Sequence, residues 1–158
     1  MAATNLQFVN FQLGYESYGI NIMMVHSIVR YDGIREIPNS PAFVEGIYNL
    51  RGEIVPVINL HKRFNIAPRV YASEEDEYDR GMMIIKIGND KVALIIDSVS
   101  RVVTLDSSKI QLPPSTISGI GREYIQGIYN NDDLYLVILD VGKIFDPNEL
   151  RQLKLIGG

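Results

Sequence analysis

Two stretches of this chain repeat one another. Residues 43–64 read FVEGIYNLRGEIVPVINLHKRF and residues 124–145 read YIQGIYNNDDLYLVILDVGKIF. An offset of 81 aligns Gly46 with Gly127, Ile47 with Ile128, Tyr48 with Tyr129, Asn49 with Asn130, Lys62 with Lys143 and Phe64 with Phe145. A contiguous Gly-Ile-Tyr-Asn inside the same strand, turn, strand, Phe-terminated pattern is more than chance readily supplies. Upstream, 18–25 (YGINIMMV) resembles 92–99 (VALIIDSV), with apolar positions recurring in the same order. The chain reads as a diverged tandem duplication, so the two halves are expected to fold alike.

The apolar segments are short, rich in β-branched residues and bounded by turn residues, which favours strands over helices. Candidate strands are 6–13, 17–22, 34–37, 43–50, 54–58, 82–87, 91–97, 102–106, 125–129 and 135–139. Gly14-Tyr15-Glu16-Ser17 and Gly88-Asn89-Asp90-Lys91 read as hairpin loops, because Gly, Asn and Asp tolerate the positive φ of tight connections. Helix is expected only in pieces: a turn or two over 23–27, another after Leu60, and a last one over 147–153, where Pro147 suits a first helical position. The fold class is therefore mostly β. Each half, roughly 70 residues with about five short strands, would leave long unpaired edges as an open sheet; closure into a small barrel removes them. Two barrels so small each have a marginal core, so they are expected to share an apolar seam, and the seam forms a natural groove.

Composition excludes several functions. With no cysteine the chain has no disulfide, thiolate metal site or thiol nucleophile. A net charge of −4 argues against general binding of a phosphate backbone. No apolar stretch is long enough to span a bilayer and the first residues lack a signal-peptide pattern, so a cytoplasmic protein is expected. Five carboxylates lie between Ser73 and Asp79, a solvated loop between the halves, and without them the remaining charge is +1.

Catalytic and metal motifs are missing. His26 and His61 lack the spacing of a metal site, and no metal or other cofactor is expected. None of Ser27, Ser98, Ser100 or Ser118 sits in a nucleophile elbow. Gly119-Ile120-Gly121 lacks the third glycine of a dinucleotide fingerprint, and Asp132-Asp133 falls where a β-turn is spelled. What remains is Asn49-Leu50-Arg51-Gly52, a hairpin turn carrying an arginine that a plain hairpin does not need; a planar cation there suits bracing the two barrels or engaging a partner. Exposed Phe8, Phe11 and tyrosines on a small barrel would offer an alternative, a module stacking nucleic-acid bases.

An ordered set of residues then carries a resemblance. Phe11-x-Leu13-Gly14, Tyr18-Gly19-Ile20-x-Ile22-x-x-Val25, Ile37-Pro38-Asn39-x-Pro41-x-Phe43, Gly46-x-x-Asn49-Leu50-Arg51-Gly52-x-Ile54-x-Pro56-Val57-Ile58-x-Leu60 and Leu94-x-x-Asp97-x-Val99 resemble the CheW family of chemotaxis coupling proteins over nearly the whole length. The resemblance implies one domain over 1–158, built of two intertwined five-stranded SH3-like barrels, roughly 12–80 and 81–150, with strand exchange at the ends. It implies a non-catalytic adaptor linking the cytoplasmic tip of methyl-accepting chemoreceptors to the regulatory domain of the histidine kinase CheA, recruited to receptor arrays. The implied receptor contacts are Ile22, Val25, Ser27, Leu50, Arg51, Val99 and Val102; the implied kinase contacts are Gly46, Met83, Ile85 and Leu94. The chain departs from the family at Ser27, where Glu is frequent, and at Asn59, His61 and Ala93. Without that Glu, another carboxylate or a carbonyl is expected to hold Arg51.

Overall fold

The computed structural model describes residues 5–67, 70, 73–74, 80–113, 122–131 and 134–157. Their strands are β1 (Asn5–Leu13), β2 (Glu16–Asn21), β3 (Val25–Arg30), β4 (Val44–Leu50), β5 (Glu53–Asn59), β6 (Gly81–Ile87), β7 (Asp90–Ile96), β8 (Ser98–Asp106), β9 (Ile110–Gln111), β10 (Ile125–Asn131) and β11 (Leu134–Leu139). The helices named among the described residues are α1 (Leu60–Phe64), α2 (Pro147–Gly157) and short 3-10 turns. The strands form a six-stranded sheet, β8-β1-β2-β11-β10-β9, and a five-stranded sheet, β3-β6-β7-β5-β4. Each sheet thus takes one hairpin from the other half of the chain: β1–β2 joins β10 and β11, and β6–β7 joins β3, β4 and β5. The barrels are intertwined.

The duplication is written into the register. Val57 lies beside Ala93 in the parallel pairing of β5 with β7, and Ile138 lies beside Gly19 in that of β11 with β2. The offsets are 81 and 74, those of the two sequence repeats. Bulges fall at equivalent places, between Val44 and Gly46 and between Ile125 and Gly127, and between Val25 and Ser27 opposite β6 as at Phe11 on β1 opposite β8. A Cβ on Gly46 would collide with the Arg35 carbonyl, and one on Gly127 would come within 2.6 Å of Ile110 Cγ2 and 3.1 Å of the Gln111 oxygen. These glycines admit a crossing segment over the bulge, which is why both copies keep them. The β1–β2 and β6–β7 hairpins turn through Gly14 (φ 65°) and Gly88 (φ 63°), each the first residue of a two-residue loop.

Alternation along the strands sorts side chains into three cores. Val55, Val57, Met82, Ile84, Ala93 and Ile95 fill the five-stranded barrel, with Val29, Tyr48 and Leu50 packed on them. Phe8, Val103, Leu105, Tyr129, Leu136 and Ile138 fill the other. Between them a larger cluster draws on both sheets, with Phe11, Leu13 and Ile20 meeting Met83, Ile85, Leu94 and Ile96. Strands β6 and β7 are therefore buried on both faces, one in their own barrel and one in the seam.

One end of the seam closes around a pseudo-twofold arrangement. Phe43 packs on Phe145 and its repeat mate Tyr124 packs on Phe64, with ring centroids 5.8 and 5.1 Å apart. Arg63 lies among them, its guanidinium 5.2 Å from the Phe43 ring and 5.4 Å from that of Tyr124. Its Nε and Nη2 donate to the carbonyl of Ile144, 81 residues on, at 3.0 and 2.9 Å, and Nη2 donates to Glu149 Oε1 at 2.7 Å.

Several sequence expectations are corrected. Residues 34–37 do not form a strand; Arg35 alone bridges to Ile47, since Gly33 turns the chain at positive φ and Pro38 ends pairing. The 23–27 helical turn is a 3-10 turn of Ile22–Met24, capped by Asn21 Oδ1 accepting from Met23 N at 2.9 Å, after which β-branched residues return the chain to strand β3. Strand β8 begins at Ser98 rather than Val102, the short β9 gives one sheet a sixth strand, and the last helix runs on to Gly157. Gly119-Ile120-Gly121, Asp132-Asp133 and residues 75–79 of the acidic stretch lie outside the described residues.

Candidate docking site

The Arg51 turn is a two-residue loop between Leu50 and Glu53, and both its residues take positive φ, Arg51 at 52° and Gly52 at 91°. Asn49 Oδ1 accepts from Gly52 N at 2.7 Å and fixes the turn. A left-handed arginine costs about 1 kcal/mol relative to glycine there. Leu50 packs inward on the barrel core while Arg51 points to solvent. Among the described residues Arg51 makes no ion pair or side-chain hydrogen bond, so the expected substitute carboxylate or carbonyl is not found among them. Its five donors stay open to a partner.

Strands β3 and β8 are the outer strands on corresponding sides of the two sheets. Val25 pairs with Ile85 on β6, and its repeat mate Val99 pairs with Phe11 on β1. Ile28 and its mate Val102 follow one turn of the pleat later, and both are exposed, as is Val99. Ile22 and Val25 are half-buried against the shared core. The 3-10 turn that carries Ile22 rests on both β1 and β6 and so sits over the junction of the sheets. Ser27 is half-buried, with its hydroxyl 3.0 Å from His26 Nδ1. The structure thus gathers Ile22, Val25, Ser27 and Ile28 on one edge and Val99 and Val102 on the related one. Ile28 was missed in the sequence; its position as the mate of Val102 at offset 74 was the signal.

The kinase-facing expectation fares differently. Met83, Ile85 and Leu94 are fully buried in the seam, so they cannot meet a partner. Gly46 is buried too, and the Arg35 carbonyl covers the place of its Cβ, which makes it a packing glycine on the outer strand β4. Phe8 and Phe11 are likewise buried and cannot stack on a base, although Tyr15, Tyr31 and Tyr135 stay exposed. His61, which lacks the spacing of a metal ligand, is a core histidine: Nε2 lies 2.8 Å from Asp97 Oδ2, which also accepts from Gly14 N at 2.6 Å.

Nearby, burial opposes ionisation of Glu45, yet hydrogen bonds from Asn59 Nδ2 (2.8 Å) and from Lys62, 3.0 Å away, carry its carboxyl below the usual range. Burial, with Glu16 and Tyr135 nearby, pushes the Tyr18 phenol up to about 12. Among the described residues no group of three metal-ligating side chains assembles, and no helix is long and apolar enough to cross a membrane.

Two interlocked small barrels with accessible apolar edges and an open arginine turn define a docking protein. Residues 7–149 match the CheW-like domain. The chain is 46% identical to the chemotaxis protein CheW of Treponema pallidum, over 97% of this chain and 91% of that protein. It is 33% identical to CheW of Klebsiella aerogenes, over 91% and 84%. The crystal structure of the scaffolding protein TtCheW from Thermoanaerobacter tengcongensis superposes with a TM-score of 0.81 at 36% identity, covering 92% and 91% of the two chains. The chain belongs to the CheW family of chemotaxis scaffolding proteins.

Proposed function

We propose that this chain is a non-catalytic coupling protein that joins the cytoplasmic tip of methyl-accepting chemoreceptors to the regulatory domain of the kinase CheA, in cytoplasmic arrays beneath the membrane. The observation that carries this reading is the pair of repeat-related edges, with Val25 and Ile28 on one and Val99 and Val102 on the other. Apolar residues gathered on one exposed edge, and recurring at matching positions of both halves, favour an interaction site. A helical hairpin tip laying an apolar stripe there would bury the exposed remainder of Val99 and Val102, at about 1 kcal/mol per side chain. Arg51, Leu50, Ser27 and Ile22 complete the receptor contact in this reading, Arg51 offering a bidentate clamp to a carboxylate. The kinase side is left to the outer strand β4, with Gly46 shaping its bulge beneath the Arg35 segment rather than touching the partner. Weak individual contacts suffice, because a repeated lattice raises effective concentration. No cofactor takes part.

The test measures binding of a soluble receptor-tip fragment to V25D and V99D. Each variant is expected to lose at least about tenfold in affinity, since an unpaired carboxylate would be buried in the contact, while circular dichroism stays unchanged. Wild-type affinity in both variants would refute the assignment. Adding the chain to receptor and CheA is expected to change kinase autophosphorylation, and an unchanged rate would remove the coupling role.

A further inference from the structure

We propose that Met23 and Met24 form a reversible oxidation site on the docking edge, so that peroxide weakens receptor binding without unfolding the protein; this rests on the coupling reading above. The described methionines divide sharply. Met82 and Met83 are 0% exposed, inside the barrel and the seam, whereas Met23 is 75% and Met24 38% exposed. The exposed pair occupies the 3-10 turn Ile22–Met24, which lies across β1 and β6 and leads directly into Val25. Asn21 caps the turn, so the thioethers are presented by a fixed backbone rather than by a free loop. Methionine is a soft, adaptable contact residue, and two in succession on such an edge favour an apolar partner surface.

The chemistry is an oxygen transfer from a hydroperoxide. A sulfur lone pair attacks the distal oxygen, the O–O bond breaks and an S–O bond forms. For hydrogen peroxide the second oxygen leaves as water after proton transfer; sulfur loses two electrons and the peroxide gains them. The product sulfoxide is polar, so covering it with an apolar partner costs affinity, and sulfoxide reductases reverse the change. Access of the oxidant is required, which protects Met82 and Met83 and makes them an internal reference.

The experiment treats the full chain with hydrogen peroxide, maps sulfoxides by peptide mass spectrometry, and titrates a soluble receptor-tip fragment before and after treatment. Met23 and Met24 are expected to oxidise well before Met82 and Met83, and the affinity to fall about tenfold. A sulfoxide reductase is expected to restore it, and the double variant M23L/M24L is expected to show no difference across peroxide treatment. Equal oxidation of the buried and exposed pairs, or an oxidised chain that binds as well as its untreated form, would overturn the inference alone. An untreated chain that fails to bind the tip would instead remove the coupling reading, and this inference with it.

Discussion

Replacing Arg63 by alanine tests whether the two barrels act as one rigid body. The guanidinium donates twice to the Ile144 carbonyl and once to Glu149, with side chains only 17% and 15% exposed. Breaking a fully buried ion pair costs about 3–5 kcal/mol, and hydrogen bonds to charged groups about 1.5–3 kcal/mol each. The residual exposure lets water reach the orphaned Glu149, which also keeps its bond from Asp146 N, so the lower end of the first range applies. Loss of contact with the Phe43, Tyr124 and Phe145 rings adds a smaller amount. The expected destabilisation is about 3 kcal/mol, or roughly 6–12 °C in Tm for a chain of this size. Urea unfolding followed by circular dichroism measures it, with Arg63→Lys recovering only part because one ammonium cannot fork between Ile144 and Glu149. A double-mutant cycle with Glu149→Gln isolates the pair. A loss under about 1 kcal/mol for Arg63→Ala, or zero coupling in the cycle, would refute the keystone role.

Asn10 is buried with no partner for Oδ1 among the described residues, at the position where the other barrel has Ile84; N10I is expected to raise the urea midpoint by the equivalent of about 1 kcal/mol, and a lowered midpoint would contradict this. Gly46→Ala drives a Cβ into backbone and is expected to cost about 2–3 kcal/mol, more than Gly127→Ala, whose first obstacle is the movable Ile110 side chain; the reverse order in thermal melts would be evidence against the crossing-segment account. Tyr18, with its phenol at about 12 in the folded chain against 10.0 unperturbed, is expected to gain its 295 nm phenolate absorbance only near pH 12, which a tyrosine titration of wild type against Y18F resolves. Because that pKa is raised, its contribution to stability is intact below about pH 10 and fades between about 10 and 12; a Y18F variant that loses stability just as steeply there would disprove it.

The repeat was legible because its retained residues are the ones the backbone demands. Gly46 and Gly127 mark the same bulge, and the parallel contacts fall at the sequence offsets. Strand β3 was hidden by the capped turn before it, whose apolar residues obscured the alternation of Val25 to Arg30. Strand β9, two residues long, carries no period at all. The burial of Met83, Ile85 and Leu94 did have a signal, the unbroken apolar run from Met82 to Ile85 that marks a strand covered on both faces; the family resemblance pointed instead to a surface. Arg63 had no signal, because its partner Ile144 becomes a neighbour only once the two copies fold against each other.

A duplicated chain supplies its own comparison between two environments of one fold. Core mates vary freely where volume can be traded, as Ile84 and Asn10 do, because each barrel repacks around its own set. Exposed positions carry no such packing constraint, and accessible apolar side chains there add an association hazard. Val99, Ile28 and Val102 nevertheless stay apolar while exposed, on strands that end their sheets among the described residues, and half-buried Val25 keeps the same character. Stability of the isolated chain does not account for that retention, since a polar residue at Ile28 or Val102 would cost little. Coverage by a partner, as proposed above, would account for it. The Arg51 turn fits the same proposal, because a left-handed arginine without a partner among the described residues has a conformational cost that an outside contact would offset.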